Sequence, residues 1–498
     1  MADTPHTRPG RQRRTGQGGH IGTTDTVVVG NGVLGLSVAL RLALAGLRVS
    51  VVGPSDRRGA ASAAAGAMHG CFGEVTTGLL ATAEGRAKLA LDIAATSAWD
   101  PWRAQLEELT GSADALTTST GTVVILNAIG APELDSANFA VIRATLDEHK
   151  EPYEQLEPED IAWLAPSPLA RPLRALHIPN ETSIDAAGLL RVLRSGFLAA
   201  GGTLVDDLVI GLDETGGHIT GAHLAGGGHL SADTVVVAAG AASSDLLAGV
   251  GTIGPAVVPM VSGYGVSLLV DTEDSTTPDV VIRTPNRAFA CGLHAVPRSP
   301  GRLYVGATNI ISAAPRTTAA ISDLSFLLEC ATTQLHTGLS EAGVANLQVG
   351  NRPVPADGYP MVGPSPVSGL YVLSGTYRDG LHQSPLLSAH IAGLITGDPL
   401  SPIDDGSLAA FAPVRAPLCG LSRAETVEMT VAHMMATGIE HAWRVPAEWP
   451  PRIERHLRRF YSQRVETWHH TYTPPPELVA AMAPAIETKL LAWYSQWP

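Results

Sequence analysis

Three glycines spaced as G-x-G-x-x-G (Gly30, Gly32 and Gly35) stand between two short apolar runs, 27–29 and Val49–Val52. In such a turn the first glycine permits the tight bend and the second lets the backbone approach a pyrophosphate. The third lets helix and strand pack closely. The helix after the turn offers free N–H groups to the phosphates, so this stretch predicts a dinucleotide site. The carboxylate that commonly holds the ribose belongs near the end of the second strand. Gly53 stands there instead, followed by Pro54 and Ser55, and Asp56 is the nearest acid. The strand alone leaves NAD and FAD both open. Two arginines far downstream add a second kind of chemistry. Arg352, in "GNRP", is fixed between a turn and a proline, and its guanidinium is a rigid fork suited to a carboxylate. Arg378, in "GTYRDGLHQSP", precedes a helix that Ser384 can cap, with Pro385 in its first turn and Gly397 past its end.

Other chemistries find no constellation. Nothing resembles a Ser/His/Asp arrangement. Cys71, Cys291, Cys330 and Cys419 lie far apart without CxxC spacing, as expected of reduced thiols in a cytoplasmic protein. His433, His441, His456, His469 and His470 crowd the tail, but without HxxxH or HxH spacing, so no metal ligand is named.

Periodicity sets out the elements that must position these residues. The all-apolar run 27–29 reads as a strand of a parallel sheet buried on both faces. A helix over 33–45 follows, with Gly46 at its C-terminal end, and then the strand Val49–Val52. Residues 85–165 read as helical, interrupted by the strand "GTVVIL". "SIDAAGLLRVLRSGFLAAGG" predicts a helix of four turns, and "TLVDDLVIGLDE", "HITGAHLAG" and "TVVVAAG" predict short strands. A β-rich stretch covers 255–310, with a helix near 318–338. "GLYVLSGT" is a strand and Ser384 begins a helix. From about 415 the chain is helical and holds five of the eight tryptophans.

At 498 residues the chain needs two or three domains. The net charge is −14. Residues 1–25 carry +2 and 413–498 carry +1, which leaves −17 on the body, a charge that repels nucleic acid. Residues 1–25 are polar and read as a disordered arm. Gly30, Asn31, Gly32 and Arg41 interrupt the following apolar stretch, which is therefore neither an export signal nor a membrane span. The expectation is a cytoplasmic protein without membrane or nucleic-acid partners.

Three stretches together resemble the glycine oxidase / D-amino-acid oxidase family of FAD-dependent amine oxidoreductases: "GAASAAAGAMHG" (59–70), "ADTVVVAAGAASSDLL" (232–247), and "VGNRPVPADGYPMVGPSPVSGLYVLSGTYRDGLHQSPLLSAHIAGLITG" (349–397). "HAVPRSPGRLYVGAT" (294–308) is similar to substrate-domain strands of the glycine oxidase branch. The resemblance covers about 25–410 and implies an α/β fold. In it a Rossmann-like FAD-binding domain (26–84, 180–250 and 340–412) is interleaved with a mixed-sheet substrate-binding domain (85–179 and 251–339). A helical C-terminal extension (413–498) follows, through which two copies could associate.

The resemblance also implies site residues. Noncovalent FAD would lie against Gly30, Gly32, Val33, Leu34, Gly35, Gly53 and Pro54, and against Ala60, Ala61, Ser62, Ala65, Gly66 and Ala67 on one face of the ring. Val209, Ala239 and Gly240 follow, and then the segment Gly375, Thr376, Tyr377, Arg378, Asp379, Gly380, Leu381 and His382. Arg352 would bind a substrate carboxylate, Arg378 would contact substrate, and His294 and His382 would stand where the family carries a tyrosine and an apolar residue. Gly53 departs from the family's acidic residue, so Gly53→Glu is expected to tighten FAD binding unless Asp56 or another group already holds the ribose. The implied reaction is oxidation of the C–N bond of an amino acid or secondary amine. Hydride passes to flavin N5, the imine hydrolyses, and dioxygen (giving hydrogen peroxide) or another acceptor takes the electrons. The histidines and the tail suggest a substrate bulkier than glycine, an amine of specialised metabolism. An NAD-dependent dehydrogenase and a degenerate flavin-binding subunit are the alternatives.

Overall fold

The computed structural model describes residues 20–273, 276–287, 292–398, 403, 408–418, 420–440, 445–446, 448–469, 471–481 and 483–498. Cys291, Cys419, His441, Trp443 and His470 lie outside them.

Short valine-rich runs build the first sheet. Its six strands run in the order Met361–Pro364, Leu370–Ser374, Thr234–Val237, Thr26–Val29, Val49–Val52, Thr203–Val205. All pairs are parallel except the first, and the strands Thr26–Val29 and Val49–Val52 are buried along their whole length, as valine-rich strands of a parallel sheet require. The helices Val33–Leu44, Ala83–Thr110, Ala186–Ala199 and Ser384–Thr396 cover one face and bury Leu36, Leu40, Trp102, Leu189, Leu193, Leu387 and Ile391 together. A four-stranded sheet and the C-terminal helix lie over the other face.

That four-stranded sheet corrects one expectation. His20–Thr23, read from its composition as part of a disordered arm, is a strand pairing in parallel with His229–Ser231. Main-chain pairing on an open strand edge needs no apolar side chains, so composition does not reveal it.

The second large sheet carries the strands Gly343–Pro355, Met260–Asp271, Arg302–Gly306, His294–Ser299, Val281–Arg283, Thr117–Asn127 and Pro172–Ile184, in that spatial order. The segment after the first two parallel strands reaches both of its ends. Gly59–Ala60 pairs with Gly350 and Asn351, and Met68–His69 pairs with Ser183 and Thr182. The alanine-rich turn is thus stretched across the sheet between two anchors.

The tail docks on the rest of the chain. The helix Pro484–Tyr494 buries Ile486, Leu490, Trp493 and Tyr494 among Val258, Met260 and Val354. Buried Arg415 grips Asp357 at 2.8 Å, and Arg287 joins Asp135 (2.7 Å) to Glu440 (2.6 Å) at the end of the helix Arg423–Glu440. Among the described residues, no helix is long and apolar enough to cross a membrane.

Candidate functional site

A cavity of about 720 Å³ runs from the glycine turn to the second sheet. Gly30 sits at φ 112°, and a Cβ there would lie 2.3 Å from Ala238 O, so close approach and backbone conformation both require glycine. Gly32 precedes the helix Val33–Leu44, whose first N–H donates to Ser62 Oγ at 3.1 Å. Gly35 does not line the cavity. A Cβ there would fall 1.9 Å from Gly30 O, so this glycine serves the packing of helix against turn.

The end of the second strand changes the expectation for Gly53. The Asn31 side chain fills the space above it and donates to Pro54 O at 2.9 Å. A Cβ at position 53 would meet Asn31 Cγ at 2.5 Å and Asn31 Cβ at 2.9 Å. Gly53→Glu therefore displaces a neighbour before it can reach a ribose, and a simple gain in affinity no longer follows. Asp56 lines the cavity, but its carboxylate is engaged by exposed Arg58 at 2.7 Å.

The alanine-rich turn is held from behind through its carbonyls. Arg298 donates to Ala65 O (3.2 Å) and Gly66 O (2.9 Å), Tyr304 to Ala64 O (3.2 Å), and Gln348 to Ala63 O (3.1 Å). Small side chains at Ala60, Ala61, Ser62, Ala65, Gly66 and Ala67 are left lining the cavity. Val33, Leu34, Pro54, Val209, Ala239 and Gly240 line it too, as does Thr376 through His382. Gly375 does not. It turns the chain at φ 71°, close against Pro355.

At the other end the large sheet delivers Arg352, His294, and two groups that the sequence reading missed. Arg352 lies on the strand Gly343–Pro355 opposite Gly263. It donates only to neutral acceptors, Thr308 O (3.1 Å) and Asn309 Oδ1 (3.3 Å), and no described carboxylate pairs with it. His294 is buried and stacks on Tyr304 with ring centroids 5.6 Å apart. Its Nδ1–H donates to Gly292 O at 2.8 Å, which leaves Nε2 as the acceptor. Burial pushes its pKa down to about 4, so the ring is neutral at neutral pH.

The missed pair is Arg283 and Glu74. Buried Arg283 bonds Glu74 at 2.7 Å and Asn286 at 2.7 Å, and Arg378 approaches the same carboxylate at 3.9 Å. Burial alone would raise the Glu74 carboxyl, but the two guanidinium groups outweigh it and hold it well below the usual carboxylate range. A lone arginine closing the apolar run "VVIR" was the available signal.

His382 also lines the cavity, 4 % exposed. Its Nε2–H donates to Asp92 O at 2.8 Å, and Trp99 donates to its carbonyl at 2.8 Å. Nδ1 is left buried without a hydrogen-bond partner among the described residues. Beside it Lys88 bridges Asp379 and Asp92, and Gln383 bonds Asp92 at 2.5 Å. Burial raises the Asp379 carboxyl despite that lysine. Ser384 does not cap its helix as expected. Gln383 holds the cap position, and Ser384 Oγ donates back to Leu381 O at 2.8 Å.

Known proteins resemble this chain in sequence and fold. The family model for DAO, FAD dependent oxidoreductase, matches residues 25–394. The chain is 27% identical over 383 residues to the bifunctional protein ThiO/ThiG of Nostoc sp., a match covering 76% of this chain and 54% of that one. The chain thus spans about half the length of that relative. It is 27% identical over 384 residues to the glycine oxidase of Pseudomonas aeruginosa, covering 74% of this chain and 94% of that one. The crystal structure of glycine oxidase from Geobacillus kaustophilus has the same fold, with TM-score 0.65 at 24% identity over 79% of this chain and 99% of that one.

Proposed function

The chain belongs to the DAO family of FAD-dependent oxidoreductases, and on that premise we propose that it oxidises the C–N bond of an amino acid or N-substituted amino acid. One observation carries this reading. Arg352 presents a guanidinium to the cavity that among the described residues donates only to neutral acceptors. A substrate carboxylate supplies the missing charge and fits the planar fork.

The residues present fit FAD. Gly30 and Gly32 line the cavity at the N-terminus of the helix Val33–Leu44, where Ser62 Oγ also stands, and this end would hold the pyrophosphate. At Gly66 a Cβ would close to 3.0 Å on His294 Nε2, so a side chain there would narrow the cavity that would receive the flavin ring. Neither described cysteine lines the cavity, which supports noncovalent binding. When bound, FAD supplies the two-electron acceptor for the hydride leaving carbon, and it passes the electrons to dioxygen or another acceptor.

This chain's own residues then bind and orient the substrate. Arg352 orients the carboxylate and thereby the Cα–H bond. His294, neutral with Nε2 as acceptor, accepts a hydrogen bond from the N–H of a substrate amine that binds already neutral, because burial disfavours the charged imidazolium that taking the ammonium proton would create. His382 Nδ1 accepts from a ligand N–H, which satisfies an otherwise orphaned buried atom. Arg378, steadied by Glu74, adds positive potential beside the segment Thr376 to His382. No described residue of 413–498 lines the cavity, so the extension lends no support to a bulky substrate. The histidines still do.

A second reading, a flavin-binding subunit without amine oxidation, draws on Asn31 filling the space above Gly53. Anaerobic addition of amino acids and N-alkyl amino acids to the purified flavoprotein separates the two. Bleaching of the flavin absorbance by at least one carboxylate-bearing amine is expected. A flavin left oxidised by every one of them refutes the proposal.

A further inference from the structure

We propose that Asp213, His223 and His229 form a binding site for a divalent transition-metal ion of the zinc type, on a face of the protein separate from the redox cavity. The three residues lie on three adjacent strands, Val209–Thr215, His218–Leu224 and His229–Ser231. His223 and His229 are direct partners across an antiparallel pair, so both imidazoles leave the same face of the sheet. Asp213 is paired with Gly221, two residues before His223 and hence on that face too.

Gly221 makes the room. A Cβ there would fall 2.9 Å from His229 Nε2 and 2.4 Å from Leu230 O, so any larger residue would fill the space that the donors share. The two Nε2 atoms each stand 2.8 Å from a different oxygen of Asp213, and one ligand atom from each residue lies within 4.8 Å of the others. Ser231 Oγ sits 3.4 Å from His229 Nδ1. A hydrogen bond from Nδ1–H to that hydroxyl directs Nε2 toward the ion, as outer-shell partners of metal-bound histidines do.

The donor set selects the class of ion. Two imidazoles and a carboxylate suit Zn²⁺ and its neighbours Co²⁺, Ni²⁺ and Cu²⁺ rather than Ca²⁺ or Mg²⁺, which prefer all-oxygen shells. Zinc–ligand bonds of about 2.0–2.2 Å in tetrahedral geometry need donors roughly 3.3 Å apart. The present 2.8 Å contacts must therefore open by about half an ångström as the ion replaces the Nε2 protons. The half-exposed Asp213 and His223 side chains can make that adjustment. Three protein ligands leave a position for water. Such an ion would clip three strands together, and none of the three residues lines the redox cavity.

The test uses untagged holoenzyme stripped with a chelator and titrated calorimetrically with ZnCl₂, with thermal melts at matched zinc concentrations. One equivalent should bind with saturation and raise the melting temperature. Both effects should vanish in His223→Ala/His229→Ala, while the isosteric Asp213→Asn weakens binding at least tenfold. Flavin absorbance should not change, which keeps this outcome separate from that of the oxidation proposal. Absence of a saturable one-equivalent isotherm in the wild type overturns the site, as does binding that survives in the double variant. If the double variant does not fold, Asp213→Asn decides, and unchanged affinity there overturns the proposal.

Discussion

Gly53→Glu tests whether the ribose end of the nucleotide site is understood. A glutamate there would offer a charged acceptor to two ribose hydroxyls, worth about 1.5–3 kcal/mol. The structure opposes that gain, because the new Cβ would lie 2.5 Å from Asn31 Cγ. Crowding of this kind costs about 1–3 kcal/mol. Asn31 would also lose its hydrogen bond to Pro54 O, a further loss of about 0.5–1.5 kcal/mol. The two effects offset, so the single variant should bind FAD unchanged or up to about tenfold more weakly. Asn31→Gly removes the obstruction. In that background Gly53→Glu should tighten binding by about 1.5–3 kcal/mol, a factor of roughly 10 to 150. Titrating flavin-depleted protein with FAD, followed by fluorescence quenching, yields all four affinities of the cycle. Strong non-additivity is expected because the residues touch. If Gly53→Glu tightens FAD equally in both backgrounds, Asn31 does not occlude the position and the steric reasoning fails.

Arg352→Met should lower kcat/KM for a carboxylate-bearing amine by about 10²–10⁴-fold, the range for losing a charged partner worth about 3–5 kcal/mol. Arg352→Lys, which keeps charge without the fork, should recover part of the loss, and equal rates in wild type and Arg352→Met would remove the carboxylate clamp. His294 has a folded pKa near 4 against about 6.5 unfolded. The unfolded state binds its proton first as pH falls, so this group's stabilisation of roughly 3 kcal/mol is present above pH 6.5 and disappears toward pH 4. Melting temperatures across that window should fall less steeply for His294→Gln than for the wild type. Glu181 runs the other way, since burial raises it to about 7. Its contribution is present below pH 4.5 and is lost as pH rises through 7. Glu181→Gln keeps an acceptor for Gly73 N–H (3.1 Å in the wild type) and should stabilise the protein at pH 8 more than at pH 5. Trp493→Ala should destabilise by about 3–5 kcal/mol in chemical denaturation if the extension packs on its own chain. A change below about 1 kcal/mol would contradict that docking.

The sequence by itself determined the glycine turn, the valine strands beside it, the helices with their glycine ends, and membership of a flavoenzyme family. These signals are local. A spacing of two and three residues makes a phosphate turn, and a period of two or 3.6 makes a strand or helix, so each can be read within about thirty residues. It also singled out Arg352, whose neighbours in "GNRP" are distinctive, although the arginine's lack of a carboxylate partner is visible only in three dimensions.

Tertiary structure decided everything that depends on residues far apart in the chain meeting. Asn31 comes to cover Gly53 because two adjacent parallel strands end side by side. Glu74, Arg283 and Arg378 form one charged group although some 300 residues separate the first from the last. Asp213, His223 and His229 have no ligand spacing along the chain and converge only through strand register. Residues 20–23 become a strand because an open edge accepts them. Register, edge pairing and steric exclusion are properties of surfaces brought together by the whole core, and no local window of sequence contains them.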